Sequence, residues 1–386
     1  MKEKLPINNA VLIWARTSLG LSQEEVAKRM SKEIDDIIGW ELGDSSPTYP
    51  QLEKLAHEVY KRPVAVFFFP EAPKEESPKT EFRTLPDTIV AQLPPDIIAL
   101  YRKAKLFQFY LEELYDRQKP LNTSMLDSFE LNEKSQFASI TKSIRKALGI
   151  SIEEQSKWQS PEIGFKKWRE ALETNGVFVF KDGFRNDDYS GFCLYDVKYP
   201  IIFVNNSMPN TRQAFTLFHE LGHLLYRSGG IDFRTQEAVR FFRGYYNNIE
   251  VACNRFANEL LVPPEVFDSF DPKVSEANFQ NLADYFSVSR EVILRNYLDR
   301  RLVDSKYYED MVAKWVEQAR KERKEEGSGN YHYTQKAYLG EHYIHFVYGL
   351  YYQNKFSLDH LAEYLNVKLK NLPKFEHFVM EGGKSR

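Results

Sequence analysis

Phe218-His219-Glu220-Leu221-Gly222-His223-Leu224 is the stretch on which the reading of this chain turns. Histidines four apart on an α-helix share one face with their Cβ atoms about 6 Å apart, so both imidazoles can reach one zinc ion at about 2.0 to 2.1 Å. Glu220 stands one step round from His219. There its carboxylate can take a proton from an attacking water, which zinc acidifies to a pKa of about 7, and return it to a leaving amine. Helical periodicity runs from Thr211 to Tyr226, with Ala214, Phe215, Phe218, Leu221 and Leu225 on an apolar face, and Asn210 with Gln213 reads as an N-terminal capping box. The chain has 8 histidines, which makes a chance H-E-x-x-H rare.

A catalytic zinc usually has three protein ligands and one open position. Downstream, Glu250-Val251-Ala252-Cys253-Asn254-Arg255-Phe256-Ala257 is helical in pattern. Glu250 is the candidate third ligand, with Asn254 one turn further on as a partner that orients a ligand. The same glutamate also reads as the end of a capping box begun by Asn247, in which it would satisfy a backbone N–H alone. Cys193 and Cys253 read as small buried hydrophobes. Arg243, Tyr245 and Tyr246 are candidates for stabilising an oxyanion, against a plainer reading as a packed aromatic cluster.

Upstream the periodicity shortens. Val177 to Phe180, Gly191 to Tyr195 and Pro200 to Val204 are strand-like runs, and Ile201 to Asn205 suits an edge strand holding an extended peptide by backbone hydrogen bonds. With helical patterns at Thr211 to Tyr226, Asn248 to Val262 and Asn278 to Leu302, this core is α+β.

The 386 residues suggest two or three domains at roughly 150 residues each. The fold expected is multidomain and mainly α. It comprises a helical bundle over 1–70, a Pro- and charge-rich linker over 71–95, a helical connector over 96–160, the α+β core over 161–304 and a helical region over 305–386, broken by the joint Glu326 to Asn330. Aromatic residues make up 15% of the chain, more than one core usually needs. The 52 basic and 55 acidic residues leave a net charge of −3, so any contact with nucleic acid must be local. No apolar run approaches the ~20 residues that cross a bilayer, and two cysteines without a signal peptide point to the cytoplasm.

His219-Glu220-Leu221-Gly222-His223, followed by Glu250 to Pro263, resembles the ImmA/IrrE family of zinc metallopeptidases, which are similar to gluzincins. Phe215 to Phe218, Ile202 to Asn205 and Glu81-Phe82-Arg83-Thr84 extend the likeness over most of the chain. The resemblance implies one Zn2+ per chain held by His219, His223 and Glu250, with Glu220 as general base. It also implies a protein substrate, such as a repressor, an antitoxin or a toxin, cut at one site to release mobile-element, toxin–antitoxin or stress genes. The alternative is a regulator or antitoxin that uses the zinc fold to sense or dock a partner without cutting it.

Leu21-Ser22-Gln23-Glu24-Glu25-Val26-Ala27, with Ile37, Trp40-Glu41, Gly43 and Pro47, resembles an Xre/Cro-type helix-turn-helix. Its candidate DNA contacts are Gln23, Lys28, Arg29 and Lys32. The reading helix, however, carries Glu33, Asp35 and Asp36 where a phosphate field must be tolerated, so operator DNA, a docked protein and a second copy of the chain all stay open as partners. Two echoes occur later. Ser357-Leu358-Asp359-His360-Leu361-Ala362 repeats Ser22 to Ala27, and Leu282 to Ser289 repeats the start of such a motif; both read as helical hairpins, with contact to nucleic acid by either as the alternative. His342 and His345 sit among aromatic residues and read as part of an aromatic core or partner face, and Arg320 to Lys324 as a solvated helix face.

Overall fold

Polar residues with the right side chains start many of these helices, and left-handed residues stop several of them. Ser22 accepts from the N–H of Glu25 while the Glu25 carboxylate accepts from the N–H of Ser22, closing a capping box. The computed structural model describes residues 4–75, 81, 90, 93–120, 125–132, 134–233, 245–322 and 331–380. Phe82 to Thr84, Arg243, Arg323, Lys324 and Glu326 to Asn330 lie outside the described residues, as do the side chains of Tyr245, Tyr246, Asn247, Arg320 and Lys321. The chain divides into two compact units, Met1–Lys103 and Ala104–Arg386. No described helix is long and apolar enough to cross a membrane.

The first unit holds α1 (Asn9–Thr17), α2 (Gln23–Met30), α3 (Ile34–Leu42) and α4 (Tyr49–Lys54), the last running on as a π-helical stretch over Leu55–Tyr60. A 3-10 turn, Val64–Phe68, follows. Val11, Leu12, Val26, Ile37, Trp40, Leu52, Leu55 and Phe67 are buried and bind these elements together. Glu41, itself buried, takes Arg16 in a two-pronged ion pair at 2.6 and 3.0 Å. Glu75 lies in the stretch expected to be a solvated linker, yet it takes the Arg62 guanidinium at 2.6 and 2.9 Å.

Helix α5 (Pro95–Leu114) spans the division between the units. The second unit continues through α6 (Met125–Ser128), α7 (Phe137–Leu148), α8 (Ile152–Gln155) and α9 (Pro161–Thr174) to β1 (Phe178–Asp182), β2 (Tyr189–Leu194) and β3 (Ile201–Asn205). Next come α10 (Asn210–Leu225), β4 (Gly230–Phe233), α11 (Tyr245–Leu261), α12 (Pro264–Phe267), α13 (Glu276–Phe286), α14 (Arg290–Asp299) and α15 (Ser305–Glu322). The described chain ends with α16 (Tyr331–Leu339), α17 (Glu341–Tyr352), α18 (Leu358–Tyr364) and α19 (Leu372–Met380), a 3-10 turn over Leu369–Asn371 leading straight into α19.

Strand order in the four-stranded sheet is β1-β3-β2-β4. β3 runs parallel to β1 and antiparallel to β2, which is antiparallel to β4. This corrects the reading of Ile201 to Asn205 as an edge strand: β3 is interior, buried at every residue, and both its backbone edges are already paired. β1 and β4 are the edges. One sheet face packs on α10 through a core that includes Ile202, Val204, Ala214, Leu217 and Leu221 and extends to Met311 and Trp315 of α15. The other face explains the aromatic excess. Phe107 of α5 stacks on Phe180 at 4.3 Å, Tyr343 of α17 meets Phe180 edge-on at 5.2 Å, and Tyr115 stacks on Phe346 at 4.4 Å. On α17 the exposed side carries His342 and His345.

Lys181 of β1 is 7% exposed, with its ammonium 4.5 Å from the centre of the Phe165 ring. Burial, and then the Arg169 guanidinium, push it down from 10.5 to about 7. Because the folded value lies below the unfolded one, the unfolded chain holds the proton between those limits. The cost to stability is absent above about pH 10.5 and grows as the pH falls to about 7. Lys181→Met should therefore stabilise the protein by about 1 to 3 kcal/mol at pH 7 and by clearly less at pH 10. Thermal denaturation of both proteins at the two pH values checks this, and an equal shift at both would contradict it.

Candidate metal centre

Helix α10 begins after Pro209, which has no side chain to cap it. The capping box expected from Asn210 and Gln213 is absent: Asn210 is the first helical residue, and the Gln213 amide donates to the carbonyl of Met208 at 2.6 Å. Ala214, Leu217, Phe218, Leu221, Leu224 and Leu225 drive the helix into the core, and its polar residues His219, Glu220 and His223 go in with them, each at most 1% exposed. Burying three such groups carries a large desolvation cost unless something compensates their charge and hydrogen bonding. They therefore need partners.

Helix α11 supplies one. It starts at Tyr245, so Asn247 lies inside the helix and not at its cap, and the side chain of Glu250 turns inward at 1% exposure. The Glu250 carboxylate lies 3.0 Å from His223 Nε2 and 3.3 Å from His219 Nε2, and the two Nε2 atoms are 3.2 Å apart. Gly222 makes this approach possible. A Cβ there would meet Cys253 Sγ at 3.0 Å and Cys253 Cβ at 3.2 Å, so the glycine inside the motif lets α10 and α11 touch where the ligands must converge. Asn254, one turn beyond Glu250, places its side-chain oxygen 3.2 Å from His219 Nδ1, which turns Nε2 toward Glu250.

The three groups fit a single cation. Two imidazole nitrogens and one carboxylate, all buried, present ligand atoms within 4.8 Å of one another, a donor set suited to zinc. Among the described residues this is the one grouping of its kind. Burial opposes the charge of Glu250, but the adjacent imidazoles of His223 and His219 hold its carboxyl well below the usual carboxylate range. Burial opposes a charge on His219 as well, and there the Asp232 and Glu250 carboxylates prevail and raise it. Glu220 behaves differently. Among the described residues neither of its carboxylate oxygens has a nitrogen or oxygen hydrogen-bond partner, and burial, reinforced by the charges of Asp232 and Glu250 and opposed by His223 and the Cys193 thiol, pushes it up to about 8. A buried carboxylate so raised beside a ligand cluster is suited to handling protons.

Two residues escaped the sequence reading. Asp232 on β4, 3% exposed, accepts from Arg212 Nη2 at 2.9 Å on each oxygen and from Thr216 Oγ1 at 2.9 Å, while Arg212 Nε donates to Ser190 Oγ at 3.0 Å. This network ties the edge strand and β2 to the helix that carries the histidines. Gly230 opens the same strand, and a Cβ on it would lie 2.4 Å from Cγ of the His223 ring. Neither residue belongs to a local motif; Gly-Ile-Asp-Phe carries only a weak strand pattern.

The candidate DNA contacts lie in the other unit. Gln23 does not reach outward: its amide donates to Glu41 at 2.7 Å, beside the Arg16 pair. Lys32 lies 3.6 Å from Asp36, while Lys28 and Arg29 are exposed on the last turn of α2.

A helix bearing two histidines and a glutamate, crossed by a second helix bearing a carboxylate under a small mixed sheet, is an arrangement suited to metal-assisted hydrolysis. Residues 172–297 match the IrrE N-terminal-like domain, peptidase family M78. That span holds all four strands, helices α10 and α11, α13 and all but the last two residues of α14. No curated protein matches the chain.

The ligand set makes a graded expectation. His219→Ala, His223→Ala and Glu250→Ala should each lose zinc, whereas Glu259→Ala, whose carboxylate pairs with Arg255 at 2.7 Å, should keep it. Elemental analysis after dialysis reads this directly, and equal zinc in all four would refute the set. Gly230→Ala should lower zinc affinity by about 10 to 100-fold by displacing the His223 ring, measured by competition with a chelator. Wild-type affinity in that variant would show the ring free to yield.

Proposed function

We propose that this protein is a zinc-dependent endopeptidase that cleaves a regulatory protein, a repressor or an antitoxin. The observation that carries the reading is the buried convergence of His219, His223 and Glu250 beside the buried Glu220, inside the span that matches a peptidase family. His219, His223 and Glu250 would hold the ion. Bound zinc supplies Lewis acidity, acidifying water to a pKa of about 7 and polarising a carbonyl.

The chain's own residues do the rest. Glu220 takes the proton from the attacking water at its carboxylate and delivers it to the leaving amine, which needs a group poised near neutral pH. Asn254 fixes the ring of His219, and Gly230 fixes that of His223. The backbone edge of β4, unpaired among the described residues, next to His223 and held to α10 by Arg212 and Asp232, takes the substrate-aligning role expected of β3. In the N-terminal unit Gln23 is tied to Glu41 and Lys32 lies beside Asp36, while Glu33 and Asp35 stay exposed on the reading helix. Those contacts support a docking module for the protein substrate over an operator reader.

The test is co-incubation of the zinc-loaded protein with the proteins encoded beside it, read by intact-mass spectrometry. A single cut is expected. Glu220→Gln should keep zinc and lose cleavage by about 100-fold or more. A wild-type protein that holds zinc and binds its partner tightly but never cuts it would replace the enzyme reading with that of a non-cleaving regulator.

A further inference from the structure

The echoes noted in the sequence are also echoes in the backbone. In the first unit α1 ends in a turn where Leu21 N–H donates to Arg16 O at 3.3 Å, Ser22 caps α2, and α2 stops at Ser31 in the left-handed region with φ 54°, Lys32 N–H donating to Ala27 O at 2.9 Å. At the other end of the chain α17 ends in a turn where Lys355 N–H donates to Leu350 O at 3.2 Å. Ser357 then caps α18, which is followed by Asn366 at φ 48°, with Val367 N–H donating to Ala362 O at 2.9 Å. Ser22 to Ser31 and Ser357 to Asn366 are the same length, and the buried positions match across them: Val26 with Leu361, Met30 with Leu365, Ile37 with Leu372, Trp40 with Phe375. Helices α17 and α18 and the turn after them thus repeat the backbone of α1, α2 and their following turn, with one extra residue, Phe356, before the cap, and α19 begins three residues later than α3 would, after the 3-10 turn Leu369–Asn371.

Charge is what differs. Aligned through that turn, Glu33, Asp35 and Asp36 of the first copy fall opposite Lys368, Lys370 and Asn371 of the last, and Lys374 follows one turn later opposite Gly39. Lys368, Lys370 and Lys374 are exposed, and none has an ion-pair partner among the described residues. They stand away from the buried face made by Leu372, Phe375 and Val379. The third hairpin, α13 and α14, shares the turn, with Ser287 at φ 52° and Val288 N–H donating to Ala283 O at 2.9 Å. Its basic residues, however, are engaged: Arg290 lies 4.8 Å from the Trp315 ring centre and Arg295 pairs with Asp299 at 3.0 Å. Of the three copies, only the last offers free cations, among the described residues, where a second helix would enter a groove.

We propose that the α18–α19 hairpin is a binding site for double-stranded DNA, with Lys368, Lys370 and Lys374 on phosphates and Asn371 facing the major groove. Cations on the leading end of the second helix meet the phosphates flanking the groove, and an amide at that end can reach a base edge. The acidic first copy would be repelled from the same field. This site is independent of the metal centre and of any peptidase activity.

The test uses the full-length zinc-loaded protein and a fluorescent 30-base-pair duplex of mixed sequence, titrated by anisotropy from 50 to 200 mM salt. Lys368→Ala/Lys370→Ala/Lys374→Ala should weaken binding by about tenfold or more at the lowest salt and flatten the salt slope by about 0.9 for each phosphate no longer neutralised. Lys28→Ala/Arg29→Ala should change neither by more than about twofold. A second readout needs no variant: DNA should protect Lys368, Lys370 and Lys374 of the wild-type protein from acetylation, read by peptide mass spectrometry. Absence of DNA binding at 50 mM salt, an unchanged salt slope in the triple variant with its zinc content intact, or DNA protecting Lys28 in place of these lysines would overturn the proposal.

Discussion

Everything at the metal centre depends on how closely two helices approach at Gly222. A Cβ there would meet Cys253 at 3.0 to 3.3 Å, so α11, which carries Glu250, would have to give by a few tenths of an ångström. The H-E-x-x-H spacing alone places two ligands and a carboxylate on one helix. The third ligand depends on the helix crossing, the crossing on a missing Cβ, and the buried positions of α10 and α11 on the sheet beneath. Packing and chemistry are therefore one constraint, since the face that buries Leu221 and Phe218 also carries His219, Glu220 and His223 out of water.

A protein interior with this many acids must balance them. Glu220, Asp232 and Glu250 are all nearly inaccessible, and each is handled in its own way. Asp232 has Arg212 and Thr216, Glu250 has the two imidazoles, and Glu220 has, among the described residues, only the Cys193 thiol beside it. A buried carboxylate so weakly partnered is costly, and such groups persist where function requires them. In the proposed reading the work is divided: one acid holds the edge strand in place, one completes the ligand set, and one exchanges a proton.

How much of this could be read from the sequence follows from whether each feature is local. Helix α10 covers the stretch from Thr211 onward where the helical periodicity put it, because that pattern depends on neighbours three or four residues away. The Asn210 cap failed because Pro209 precedes it and Gln213 found the Met208 carbonyl. β3 was misplaced because an uninterrupted apolar run reports burial on both faces and says nothing of which strands flank it. At the site, His219, Glu220 and His223 come from one helical turn. Glu250 needed a second motif, and Asp232 and Gly230 act only through contacts made between elements, which spacing along the chain does not reveal. The excess of Phe and Tyr became intelligible only once the sheet was seen to be covered on both faces.

The claim on which the rest stands is that one zinc ion sits among His219, His223 and Glu250. X-ray absorption at the zinc edge of the purified protein measures its ligands directly. Two imidazole nitrogens near 2.0 to 2.1 Å with oxygen donors, one ion per chain and no sulfur, is the shell this account requires. A sulfur shell near 2.3 Å would bring Cys253 or Cys193 into the site, and that result, or a chain that takes up no zinc at all, would contradict it.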